Sequence, residues 1–101
     1  MKAPIPAPNP AALFVASKRQ VACTVGGEAV ILHLDDGVYY SLNPVGAHVW
    51  SLLQQPRTTE ELVRHVLAEF EVEEERCRAE VTALVDALRA RALLVQAETT
   101  E

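Results

Sequence analysis

Cysteine is nearly absent from this chain of 101 residues: Cys23 and Cys77 stand far apart, and neither belongs to a C-x-x-C pair. That argues against a zinc site or a dithiol redox motif and for two buried free thiols. Cations are scarce too. Nine Lys and Arg against 14 Asp and Glu give a formal net charge of −5 and a pI near 5.1, so no overall field draws in phosphate backbones or anionic lipid. No apolar run approaches the roughly 18 residues of a membrane span. The first ten residues hold one lysine and four prolines but no apolar stretch of the kind a secretory signal needs. They read as an extended arm, with the cytoplasm as the default address.

What is present fits one small domain. Half of the residues are hydrophobic, enough for a single core but not for a core plus a deep, walled active site, and this favours a binding module over an enzyme. The arm occupies residues 1–19 and includes a short apolar segment, Ala11 to Ala16, whose docking the pattern leaves open. A domain over residues 20–95 and a polar tail over 96–101 complete the division.

Glycine is used sparingly, and each one marks a feature. Gln20 to Val25 reads as a strand, Gly26-Gly27 as a hairpin turn, and Glu28 to Leu34 as the returning strand. That second strand places Val30, Leu32 and Leu34 on one face and Ala29, Ile31 and His33 on the other. Asp35-Asp36-Gly37 reverses the chain again, through side-chain oxygens that bond local amides and a glycine that accepts positive φ. Val38 to Leu42 is the third strand of an antiparallel meander. Its Tyr39 and Tyr40 must point to opposite faces, so one can help close the core near Trp50 while the other needs a different role.

Asn43-Pro44 starts a helix, because asparagine caps orphan amides and proline fits the first helical position. This helix should run to about Gln54, with Gly46 permitting close contact with the sheet. Thr58 to Glu61 follows the capping-box pattern of a second helix whose inward face is Leu62, Val63, Val66, Leu67 and Phe70. A third begins at Glu73-Glu74-Glu75, where acids complement the helix dipole. It keeps Cys77, Val81, Leu84 and Leu88 in helical register, with Val85 widening the stripe. Ala92 to Val95 either closes that helix or adds a short strand. The fold class is therefore α+β, a winged-helix-like domain with a three-stranded antiparallel sheet followed by three helices.

The segment Gly37-x-Tyr39-Tyr40-x-Leu42-Asn43, then Gly46-Ala47-x-Val49-Trp50 with Leu52-Leu53, then Pro56-Arg57-Thr58-x-Glu60-Glu61-Leu62, resembles the PqqD-like family, whose fold is also called the RiPP recognition element. The match continues through Val81, Leu84, Leu88 and Ala92-Leu93-Leu94. The resemblance implies a non-catalytic protein that binds the leader segment of a ribosomally made precursor peptide and delivers it to modifying enzymes. The paired tyrosines look closer to the stand-alone proteins of lasso-peptide clusters than to those serving pyrroloquinoline quinone synthesis. That branch implies a separate leader-cleaving cysteine protease and an ATP-using macrolactam cyclase as partners, and no cofactor.

The residues themselves offer a mechanism. The last strand of a meander has a free edge, which an incoming extended segment can satisfy by strand addition. In the resembling family the leader adds there, over a groove shared with the third helix. Candidate contacts are Val38, Tyr39, Tyr40 and Leu42 on the strand, with the parity open. On the helix they are Arg78, Thr82, Val85 and Arg89, at i, i+4, i+7, i+11 spacing. The main alternative for a winged-helix-like fold is nucleic-acid binding, but from Arg57 to Arg91 there are six arginines and nine acids, the reverse of what phosphate affinity needs. Catalysis by a Cys-His pair has no local signature around either cysteine. The acids from Glu69 to Glu75 lack the glycine and ligand spacing of a cation loop and read as a solvated turn, so no metal is expected.

Overall fold

The computed structural model describes residues 12–97. Of the expected arm, residues 1–11 lie outside the described residues, as do the last four residues of the tail. The elements run β1 (Leu13–Ala16), β2 (Gln20–Val25), β3 (Glu28–His33), β4 (Tyr39–Leu42), α1 (Pro44–Leu52), α2 (Thr59–Glu69), α3 (Glu74–Ala90) and β5 (Leu94–Ala97). This is the expected α+β order of three antiparallel strands, β2-β3-β4, followed by three helices, with a second, two-stranded sheet β1-β5 added.

The two reversals of the meander are built as their sequences require. Gly26 and Gly27 take φ of +60° and +83°, and Gly37 takes +69°, values open to glycine at little cost. Asp36 Oδ1 accepts the Val38 N–H at 2.9 Å. Register pairs Ile31 with Tyr40 and Ala29 with Leu42 across β3 and β4, and directly opposed residues share a face. The core face of the sheet is therefore Ala29, Ile31, His33, Tyr40 and Leu42. Its outer face is Val21, Cys23, Val25, Val30, Leu32, Tyr39 and Ser41. That outer face keeps Val21, Val25 and Tyr39 more than half exposed. Cys23 is exposed with them while Cys77 is buried, which corrects the expectation of two buried thiols: parity on β2 turns Cys23 away from the helices.

His33 is buried on the core face. Its Nδ1 accepts the Asp35 N–H at 3.1 Å, so a polar ring tolerates the position that Val30 or Leu32 would have filled more cheaply.

Helix α1 is capped by Asn43, whose Oδ1 accepts the Gly46 N–H at 2.8 Å. A Cβ at Gly46 would meet Leu42 Cβ at 3.2 Å and that Oδ1 at 3.3 Å, so glycine lets the first helical turn close on the strand end. The helix stops two residues before Gln54, where the Leu53 N–H bonds to Val49 and Trp50 carbonyls. Thr58 and Glu61 form the reciprocal capping box at α2, with bonds of 2.9 and 3.1 Å.

The end of α3 has no glycine, yet it forms a Schellman turn. The Leu93 N–H bonds to Leu88 O at 2.9 Å and the Ala92 N–H to Arg89 O at 3.0 Å, with Ala92 at φ +57° in the position glycine normally takes. The chain then leaves as β5, antiparallel to β1, pairing Val15 with Val95 and Ala16 with Leu94. Backbone bonds from Ala16 to Leu53 and from Ser17 to Leu93 seat β1 across the helices, and Phe14 becomes one of the largest fully buried side chains beside Leu53, Leu62 and Leu93.

Candidate peptide-binding cleft

Strand β4 ends the sheet order β2-β3-β4, so one of its sides has no partner strand among the described residues. The hydrogen-bonding phase follows from one bond. His33 N–H donates to Val38 O at 3.0 Å, which makes His33 and Val38 a hydrogen-bonded pair, and alternation makes Ile31–Tyr40 and Ala29–Leu42 the next ones. Tyr40 and Leu42 thus commit their amides to β3. Tyr39 and Ser41 turn their N–H and C=O groups to the free edge.

Below that edge lies a cleft of about 380 Å³. Ser41, Leu42 and Asn43 form its strand wall, and Val45, Gly46 and Val49 of α1 its end. The opposite wall is Cys77, Glu80, Val81 and Leu84 of α3, with Val66 and Val72 contributing from the α2 side. Val49, Val66, Cys77 and Val81 are core residues, so the floor is apolar and reaches the hydrophobic interior. Burial pushes the Cys77 thiol above its ordinary range, and Glu80 pushes it the same way. The thiol therefore sits in the floor in its apolar, protonated form.

Helix α3 presents its residues to this cleft by phase. Glu80 and Leu84 line it, and Ala87 and Arg91, at i+7 and i+11 from Glu80, continue that phase beyond the lining. Arg91 stands at the Tyr40 end: its guanidinium lies 4.8 Å from the ring centroid of Tyr40, and Nη1 donates to the Tyr40 hydroxyl at 3.3 Å. Cys77 and Glu80 line the cleft across from Ser41 to Asn43 while Arg91 lies on Tyr40, so the helix axis runs opposite to β4.

Of the residues selected from sequence, the structure brings Leu42 to the cleft and turns Tyr40 to the same face. Tyr39 is 67% exposed on the outer face, where only its backbone addresses the free edge, and Val38 precedes the strand with its N–H held by Asp36. The helical stripe Arg78, Thr82, Val85 and Arg89 is not brought to the cleft. It is offset by two residues, about 200° around the helix, from the stripe that is. Arg78 instead bridges α3 to α2 through bonds of 2.7 and 3.2 Å to the Glu60 carboxylate, which it holds below the usual carboxylate range. Val85 is in the core, Thr82 is exposed, and Arg89 lies 5.0 Å over the Phe14 ring. Glu80 is the charged residue of the lining that was not selected from sequence, and its shared phase with Leu84 was the available signal.

Among the described residues no three His, Cys, Asp or Glu side chains stand together as metal ligands would, and no helix is long and apolar enough to cross a membrane.

An open strand edge above an apolar cleft that a helix walls on its far side is the geometry of a small binding domain with room for an extended chain. The chain belongs to the family of coenzyme PQQ synthesis protein D (PqqD), whose model matches residues 28–94. Two solved structures are similar to it. TbiB1 in complex with the TbiA(beta) leader peptide is 30% identical with a TM-score of 0.74, the match covering 84% of this chain and 99% of that one. A lasso peptide synthetase B1 complexed with the leader peptide is 21% identical with a TM-score of 0.70, covering 81% and 96%, a likeness of fold. Among curated proteins none matches.

Proposed function

We propose that this protein binds the leader segment of a ribosomally made precursor peptide as an added strand on β4 and holds it for maturation enzymes, itself performing no chemistry. The observation that carries the reading is the run of outward Tyr39 and Ser41 amides leading onto the apolar cleft, whose strand wall begins at Ser41. Backbone bonds to those two residues supply affinity that any extended peptide can claim, and the cleft selects side chains at alternate positions. Membership of the PqqD family supports this reading, as do the two similar proteins solved with leader peptides bound.

In this scheme Tyr40 and Leu42 contact the leader through their side chains, and Tyr39 and Ser41 through their backbones. Partners are a separate leader protease and a macrolactam cyclase of a lasso-type pathway in the cytoplasm, and the protein needs no cofactor. Calorimetric titration with a synthetic leader, taken from the precursor encoded beside this protein, tests the reading. Saturable binding at micromolar concentration is expected, and no heat or spectral change at that concentration sinks it.

A further inference from the structure

Two opposite charges stand at the cleft, one in its lining and one just beyond it. Glu80 is the one carboxylate among its lining residues, on the α3 wall across from Ser41 to Asn43. Arg91 lies beyond the lining, stacked on Tyr40, the strand residue before Ser41, and meets no carboxylate within 4 Å among the described residues. Its stacking and single bond to Tyr40 hold the guanidinium in place while leaving most of its five N–H donors free. Glu80 does have a neighbour, Arg76 Nε at 3.1 Å. That pair is an exposed i,i+4 contact on one helix, weak enough for a peptide cation to share or replace.

We infer that the cleft reads the charge order of its ligand: it selects an extended peptide carrying a basic residue four or six positions before an acidic one. Such selection rests on the strand-addition reading and deepens it. An added strand runs antiparallel to β4, as β3 does, because that pairing is the more stable per residue. Its N-terminal part then lies by Asn43 and Glu80, and its C-terminal part by Tyr40 and Arg91. The two charges are 11 residues apart on α3, about 16 Å along the axis at about 1.5 Å per residue, which an extended chain spans in about five residues. Only even spacings keep both side chains on the cleft side of the added strand, so the spacing is four or six. The same geometry disfavours the reverse order, which brings an acid to Glu80 and a base to Arg91.

Selection from a displayed library of random dodecapeptides tests this whatever the sequence of the natural leader. Wild-type protein is expected to enrich Lys or Arg four or six positions before Asp or Glu, about three- to tenfold over the opposite order, with the bias shrinking in high salt. The double variant Glu80→Lys with Arg91→Glu is expected to enrich the opposite order. Enriched peptides with no charge order in either selection overturn the inference while leaving strand addition standing. No enrichment by the wild type overturns both. Should the double variant fail to melt as a folded protein, the best wild-type peptide is titrated beside its charge-swapped isomer. Equal dissociation constants then refute the inference.

Discussion

Proline at position 41 separates folding from peptide binding more sharply than any side-chain truncation. The phase of the β3–β4 ladder puts the Ser41 N–H on the free edge, so Ser41→Pro removes no bond within the sheet, and edge strands accept proline where the lost N–H faces away from the partner. The preceding residue, Tyr40, is already extended, as a residue before proline must be. Unfolding in urea should therefore shift by no more than about 1 kcal/mol. Binding is different. An added strand that meets both Tyr39 and Ser41 makes about four backbone bonds, each a net contribution of about 0.5–1.5 kcal/mol. Proline deletes one of them and leaves a peptide carbonyl unpaired against its ring, a loss of about 1–3 kcal/mol in total. That corresponds to a dissociation constant raised about five- to hundredfold. Ser41→Ala, which keeps the amide, should bind as the wild type does. Tyr40→Pro strikes a bond to β3 instead and should destabilise the domain outright. A folded Ser41→Pro protein that binds leader with wild-type affinity would falsify strand addition at β4.

Two other outcomes follow from features remote from the cleft. Ala92 holds a left-handed conformation, φ +57°, that costs an L-residue about 1–2 kcal/mol more than glycine. After the entropy glycine loses on folding, Ala92→Gly should stabilise the protein by about 0.5–1 kcal/mol in urea unfolding, and a neutral or negative effect refutes the strain argument. The carboxyl of Glu61 is held below its ordinary range, chiefly by the Thr58 backbone N–H and then by the Thr58 hydroxyl. A depressed carboxylate contributes stability that is present above its unfolded value near 4.5 and is lost as pH falls through its folded value. From about pH 5 down to about pH 3, Glu61→Gln should thus lose less stability than the wild type. Parallel acid limbs refute the capping box as a source of that loss.

Much of the architecture could be read from local chemistry. Gly26-Gly27, Asp36-Gly37, Asn43-Pro44 and Thr58 to Glu61 each carry their own reason to turn or cap, and each does so in the structure. The end of α3 was not legible, because Ala92 occupies a turn position that glycine normally announces. The docking of Leu13 to Ala16 was not legible either. Its partner strand lies at the far end of the chain, and nothing local to either segment signals the other. On α3, the period of the apolar stripe was readable and its flanks were not. Cys77, Val81, Val85 and Leu88 point to the core, and the flanks of that stripe, Glu80, Leu84, Ala87 and Arg91 on one side and Arg78, Thr82 and Arg89 on the other, each mix charged with uncharged side chains.

By itself the sequence determined strands β2 to β4, the three helices, their order and the family, since turns, caps and periodicities act within a few residues of chain. Tertiary structure alone decided which side of each element faces what. Strand β3 offers apolar residues on both faces, and hydrophobicity favours Val30 and Leu32 for the core. The helices instead cover Ala29, Ile31 and His33, and that choice propagates across the ladder to put Tyr40 inward and Tyr39 outward. The free edge, the cleft beneath it and the opposed charges of Glu80 and Arg91 all descend from this packing of sheet on helices, which joins residues too distant in sequence for local chemistry to relate.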